Sequence, residues 1–491
     1  MYFLGIDVGT TGSRSVLIEG SGKLSGAATR PHAPFESPRA GWAEQHPDDW
    51  WRASRDSIRD VIASSGVDPR DIGAIGFSGQ MHGAVLLDGN DEPIGPAIIW
   101  CDQRTKKECE DLTEKVGSAR LIELVSNPAL PNFTLPKLLW TKNNRPEDWK
   151  RVRSVMLPKD YVRMKLSGVK ATDMADGSGT LMLDVVNRKW SEEILELAGI
   201  DPGLLPELFE SQEVTGSVTS AAASETGLIP ETPVIGGAGD NAAGAIGMGI
   251  VRLADLSVTI GTSGVVFAVT GSPTVDPDGR IHTLCHAIPE TWHVTGVTQA
   301  AGLSLQWFRN NFAPGETYDQ LTAAAAAVPP GAEGLLWTPY LMGERTPHTD
   351  PGARASLTGL TVRHTKAHVA RAIMEGVAFS LRDCIEVFRS LGIPVGRIRL
   401  GGGGAGSDLW RQIQADIYGR PVEIIEADEG AAFGAAILAG VGAGNWSTVA
   451  DACESAIRIA KTIEPDAASK EALDLRYKEF RKIYGAVKVV G

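Results

Sequence analysis

The chain has 491 residues, of which 43% are hydrophobic and 22% charged, and its formal net charge is −13. That length exceeds what one ordinary core supports, so two large domains are expected, and the composition leaves little room for long disorder. The acidic balance argues against a nucleic-acid partner, no stretch reaches the ~18 apolar residues of a membrane span, and five scattered cysteines without C-x-x-C fit free thiols in a reducing cytoplasm.

At the start, "MYFLGIDVG" has no basic region and meets Asp7 before an apolar run develops, so no signal peptide is expected. The same residues predict a buried strand, "GTTGS" a turn and "RSVLI" a second strand, a β-hairpin with short hydroxyls at its tip. "DDWWRASRDSIRDVIASS" then predicts a helix, and "IGAIGFSG" and "GAVLLD" predict strands, the alternation of an α/β domain. "FSGQMHG" ends a strand with polar residues between glycines. Gln80, Met81 and His82 suit a small polar pocket, although a lone histidine is more often structural and from these residues alone reads so.

"TPVIGGAGDNAAGAIGMG" sets Asp240 and Asn241 among small residues after a strand. A carboxylate with nothing bulky around it leaves space for a substrate, whose hydroxyl proton Asp240 is able to accept as that oxygen attacks a phosphoryl group. Capping the helix that follows is the alternative use of the same aspartate. A boundary between Ile235 and Leu256 is expected, giving domains 1–245 and 246–491. Beyond it "LSVTIGTSGVVFAVT" repeats the opening hairpin, aligning Gly9 with Gly261, Thr10 with Thr262 and Gly12 with Gly264. An offset of half the chain points to duplicated domains.

Two such hairpins facing each other suit a polyphosphate, since consecutive backbone N–H groups and hydroxyls cradle an anion without lysine. Thr10, Thr11, Gly261, Thr262 and Ser263 are the candidates, with Arg14 adding a forked cation and Asp7 a carboxylate suited to magnesium through water. No G-x-x-x-x-G-K-[ST] occurs, which excludes a P-loop. "HTLCH" (His282 to His286) has the composition of a metal cluster, but it lies in a predicted strand hairpin and reads as structural. Farther on, "TKAHVARAIMEGVAFSLRDCIEVFRSLG" predicts a long amphipathic helix closed by Gly392. "RIRLGGGGAGSDLWRQIQADIYGRPVEIIEAD" predicts strand, glycine turn, helix and strand. Gly401, Gly403 and Gly406 match G-x-G-x-x-G, yet too little chain follows for a complete dinucleotide fold, so the turn is read as lying close to an adenosine. "SKEALDLRYKEFRKIYGAV" predicts a terminal helix packed back on the body.

Together these motifs resemble the FGGY carbohydrate kinase family. "FTLPKLLWTKNN" resembles its first signature and "ASLTGLTVRHTKAHVARAIME" its second, and "GQMHG", "MLPKDYVRMKLSG", "DMADGSGTLMLDV" and "GERTPH" strengthen the match along essentially the whole chain. The resemblance implies two actin-like (ribonuclease H-like) α/β domains with a nucleotide and sugar cleft between them. It implies ATP and Mg²⁺ as cofactors and phosphorylation of D-xylulose to D-xylulose 5-phosphate. Residue by residue it implies Asp240 as the base, Met81, His82 and Asn241 on the sugar, Asp7 and Asp240 at the magnesium, Arg14 and Thr262 on the phosphates, and Gly403 with Gly404 on the adenosine side. Arg14 stands where some members carry lysine, and Gly406 where a longer basic side chain is common. The partners expected are a small sugar and ATP, with no nucleic acid and no membrane, in the cytoplasm; a homodimer is admitted but not required. Kinases for ribulose, ribitol, erythritol or glycerol, and a non-enzymatic actin-like sensor, are the alternatives.

Overall fold

In the computed structural model, residues 1–426 and 429–488 are described; Ala427 and Asp428, at the end of the predicted "EIIEAD" strand, lie outside the described residues. Two seven-stranded mixed sheets organise the chain. The first is built from β1 (Tyr2–Val8), β2 (Gly12–Glu19), β3 (Leu24–Pro31), β4 (Ile72–Gly79), β5 (Val214–Ser217), β6 (Pro233–Ile235) and β7 (Ala238–Gly239). The second uses β8 (Leu256–Ile260), β9 (Gly264–Thr270), β10 (His282–Cys285), β11 (Trp292–Thr298), β12 (Ile398–Gly401), β13 (Val422–Ile425) and β14 (Ile459–Ile463).

The sheet orders, β5-β6-β4-β1-β2-β3 with β7 on β4, and β10-β11-β9-β8-β12-β13-β14, share a core. In each, a central hairpin pairs on one side with an antiparallel strand and on the other with a parallel one, β4 beside β1 and β12 beside β8. The repeated glycine and hydroxyl turn is thus the tip of the same hairpin in both sheets, β1–β2 and β8–β9.

Helices cover the faces as their apolar spacing predicts. The first, α1 (Pro47–Ser65), opens with Pro47 and acidic Asp48 and Asp49, which suit the N-terminal dipole, and ends at Gly66 in the left-handed region. It buries Trp50, Ile58 and Val61 with Leu17, Phe77 and Val85 of the first core. Between β4 and β5, helices that include α2 (Thr134–Asn144) gather a core of their own around Leu121, Phe133 and Leu138. The predicted long helix is α7 (Lys366–Ser390), numbered after α3 (Pro158–Ser167), α4 (Asp240–Gly247), α5 (Gly302–Phe312) and α6 (Tyr318–Ala326). It buries Ile373, Val377 and Phe388 in the second core, where Leu473, Tyr477 and Phe480 of the terminal helix also pack.

A helix joins the halves. Helix α9 (Gly430–Gly442), which follows α8 (Asp408–Tyr418) in the second half, shares a core with Phe3, Val16, Ala74 and Ala243 of the first half. The approach is backbone to backbone: a Cβ on Gly434 would lie 1.8 Å from the Ala243 carbonyl oxygen, and one on Gly5 would lie 1.9 Å from that of Ala432. Glycine is required there because no side chain fits between the elements. The "HTLCH" strand is also a joint. The Asn127 amide donates to the Thr283 carbonyl at 2.8 Å, and the Ser178 hydroxyl accepts from the Cys285 N–H at 3.1 Å.

Candidate active site

Asp7 is the penultimate residue of β1, opposite Arg14 on β2 and Ser78 on parallel β4. Strand β7 sets Ala238 beside Ser78 and Gly239 beside Gly79, which delivers Asp240 to the same sheet end at the first turn of α4. Carboxyl ends of parallel strands are where open α/β sheets hold ligands. Asp240 does not cap its helix: Gly239 takes the N-cap position without a side-chain bond, and Asp240 Oδ1 accepts from the Asn241 amide at 3.1 Å. That amide also lies 3.4 Å from Met81 Sδ, and a side chain at Gly239 would meet Met81 Cγ at 2.7 Å. Asp240, Asn241 and Met81 therefore form one cluster beside Asp7.

The electrostatics of this cluster favour a cation. Burial pushes Asp7 up to about 6, against the opposing effect of Ser78 and Arg14. Burial and then the Asp7 charge push Asp240 up to about 7, with the Asn241 N–H opposing. Asp7 Oδ1 is buried without a hydrogen-bond partner. Beneath them, fully buried Lys159 lies 2.6 Å from Asp160, 2.6 Å from Asp173 and 3.6 Å from Asp176. No three His, Cys, Asp or Glu residues among those described are grouped to hold a metal by themselves. Magnesium suits such a site, because it keeps several waters and takes one or two carboxylates together with substrate phosphates.

His82 adopts a left-handed φ of 70°, uncommon for a non-glycine residue, and its Nδ1 lies 2.6 Å from the Gly179 carbonyl oxygen. Lys137, fully buried in α2, holds that backbone by donating to the His82 carbonyl at 2.9 Å, to that of Phe133 at 3.0 Å and to that of Asn132. Burial pushes this lysine down to about 7. Gln80 bonds the Gly9 carbonyl at 3.3 Å and Gln45 at 3.0 Å, and Gln45 reaches the Thr10 carbonyl at 2.8 Å. The Trp100 indole donates to the Thr10 hydroxyl at 2.9 Å from an exposed position. Lys137 had a visible signal in the sequence, one cation among apolar helix positions; Gln45 and Trp100 had none. Thr11 is exposed at the hairpin tip, while Arg14 is paired with Glu429 and bonds Thr29 at 3.0 Å.

The second hairpin faces a cavity of about 420 Å³ lined by Gly261, Thr262, Gln306, Gly403, Gly404 and Trp410, among others. The start of α5 closes one side, with the Ala301 N–H on the Thr262 carbonyl at 2.9 Å and the Gly302 N–H on that of Gly261 at 2.8 Å. Gly404 permits the glycine turn to lie against the hairpin, since a Cβ there would meet Ile260 Cβ at 2.6 Å. Gly406 lines the cavity, whereas Ser263 does not. Thr10, Thr11, Arg14, Met81 and His82 also lie outside its lining, on the first sheet's side. The candidates thus form two groups, one acidic and polar at the first sheet, one glycine-rich at the second.

Residues 2–247 match the N-terminal domain, and residues 256–443 the C-terminal domain, of the FGGY family of carbohydrate kinases. A xylulose kinase of Bacillus subtilis (strain 168) is 40% identical over 99% of this chain and 97% of its own length. A gluconokinase of the same strain is 32% identical over 89% of this chain and 86% of its own. The crystal structure of xylulose kinase from Rhodospirillum rubrum superposes with a TM-score of 0.94 at 30% identity, covering 100% of this chain and 99% of that one.

Proposed function

The chain belongs to the FGGY family of carbohydrate kinases, with two actin-like domains, and on that premise we infer that it phosphorylates D-xylulose with ATP to give D-xylulose 5-phosphate. The observation that carries the reading is the full-length similarity to kinases named for xylulose, against lower identity to the kinase named for gluconate. We divide the chain into a sugar-side domain, 1–245, and an ATP-side domain, 246–491.

Asp240 is the general base for the 5-hydroxyl. Its half-buried carboxyl, raised to about 7, is matched to taking a proton near neutral pH. Asn241, Met81 and His82 orient the sugar; Met81 supplies an apolar wall, and Nε2 of His82 is left to accept because Nδ1 donates to Gly179. Thr10, Thr11 and Arg14 on one side, and Gly261, Thr262 and Ser263 on the other, hold the phosphates, while Gly403 and Gly404 let the adenosine lie against the turn. Asp7 and Asp240 are the carboxylates that serve magnesium, and the unpartnered Asp7 oxygen supports that assignment. When bound, the ion neutralises charge on the phosphates. The Arg14 pair with Glu429 must open before Arg14 reaches a phosphate, which makes part of the site dependent on nucleotide arrival. Closure of the two domains on the sugar excludes water and limits wasteful ATP hydrolysis. A substrate panel of D-xylulose, D-ribulose, gluconate, ribitol and glycerol, followed by ATP consumption, tests the reading; preferential turnover of any sugar but D-xylulose would overturn it.

A further inference from the structure

One cation near the sugar side is used by none of these roles. Arg345, in the "GERTPH" stretch, is half-buried, and among the described residues its guanidinium makes one hydrogen bond, to His282 Nε2 at 3.0 Å, and no ion pair. The adjacent Glu344 carboxylate is spent elsewhere, accepting from the Thr298 hydroxyl at 2.6 Å, the Gln299 N–H at 3.0 Å and the Arg345 N–H at 2.8 Å. Its remaining donors make no hydrogen bond to the described residues and stay open to solvent, so they are available to an acceptor that arrives in the site.

The surroundings fix where that acceptor comes from. His282 Nδ1 lies 3.2 Å from Asn127 Oδ1, and the Asn127 amide is oriented by its bond to the Thr283 carbonyl at 2.8 Å. Nδ1 therefore donates, Nε2 accepts from Arg345, and the imidazole is neutral. Burial, followed by the Arg345 charge, holds His282 well below its ordinary range. Phe133 stands edge-on between His282 and His82, with ring centroids 5.5 and 5.1 Å away. Arg345 is also among the charges that hold His82 down, after burial and Lys137. A donor-only fork from the second half of the chain thus stands on the His82 side of the sugar site, supported by a neutral histidine and an asparagine.

Resting on the sugar-kinase reading, we propose that Arg345 is a substrate-positioning residue that donates to the carbonyl oxygen of an open-chain 2-ketose and so favours ketoses over polyols. The chemistry of the acceptor supports this. A 2-ketopentose closes its furanose ring through the 5-hydroxyl, so a molecule whose 5-hydroxyl is free to attack must present a free C2 carbonyl. That oxygen only accepts and the guanidinium only donates, whereas a polyol puts a hydroxyl at the same place.

The test is steady-state kinetics of the full chain, wild type, R345M and R345K, with D-xylulose and with D-arabitol. Loss of a charged hydrogen bond predicts a fall of about 30- to 100-fold in kcat/KM for D-xylulose in R345M, a smaller fall for D-arabitol, and an ATP KM within about twofold of wild type. R345K, which keeps charge without the fork, is expected to fall in between and carries the test if R345M does not fold. A ketose-to-polyol ratio equal to wild type, or an ATP KM that rises in step with that for D-xylulose, overturns the proposal. Wild type inactive on D-xylulose would instead sink the functional reading beneath it.

Discussion

Replacing Asp240 by asparagine is expected to abolish turnover and stabilise the protein at once. The Asp240 carboxyl moves from an ordinary 3.8 in the unfolded chain to about 7 in the fold, because burial and the Asp7 charge oppose its ionisation. From about pH 4 to about pH 7 the unfolded chain ionises there and the folded one does not, so wild-type stability falls across that window and levels off above it. The shift corresponds to at most about 4 kcal/mol, which solvent at the half-buried group reduces to about 2 kcal/mol. Asparagine keeps the oxygen that accepts from Asn241 and removes the charge. Thermal unfolding at pH 4.0 and at pH 8.0 reads the outcome directly. At pH 8.0 D240N is expected to melt about 2 to 4 °C above wild type, and at pH 4.0 the two should nearly coincide. A variant equally or less stable at pH 8.0, or a gain that ignores pH, would refute the reasoning.

The same carboxyl predicts that kcat/KM for the sugar rises with pH and levels above about 7, because the base must be ionised to accept a proton; a profile flat from pH 5.5 to 8.5 contradicts this. Gly434→Ala drives a Cβ into the Ala243 carbonyl oxygen, 1.8 Å away, and should lower stability by about 3 kcal/mol or more, read as a drop in denaturant midpoint. Lys137→Met strands the carbonyls of His82 and Phe133 that the ammonium holds at 2.9 and 3.0 Å. It should raise the sugar KM about tenfold with little change in the ATP KM, since the losses fall on the His82 backbone. Gly404→Ala, whose Cβ would sit 2.6 Å from Ile260 Cβ, should act oppositely, raising the ATP KM while sparing the sugar KM.

Much of this was legible from residues alone. Both hairpins, the long helix to Ser390 and the strand, glycine turn and helix after Arg397 fall where the periodicity and the glycines predict, because each is encoded locally. The G-x-G-x-x-G run lacks the chain that a complete dinucleotide fold needs, and its turn lines the cavity beside the second hairpin. What could not be read is what depends on distant chain. Whether Asp240 caps its helix is not legible locally; in the fold Gly239 holds the N-cap position and Asp240 does not cap. "HTLCH" reads as a hairpin strand, as expected, yet its role as a joint depends on Asn127 and Ser178, more than 100 residues upstream. The pairing of Arg14 with Glu429 spans 415 positions and leaves no pattern in either segment.

The most direct test of the account is a ³¹P NMR assay of ATP with D-xylulose, run with wild type and with D240N, alongside nucleotide binding to each. Wild type should yield phosphate on the 5-oxygen, and D240N should bind ATP normally and yield essentially none. Sustained 5-phosphate formation by D240N, or phosphate on another oxygen in the wild type, would contradict the central claim that Asp240 deprotonates the 5-hydroxyl.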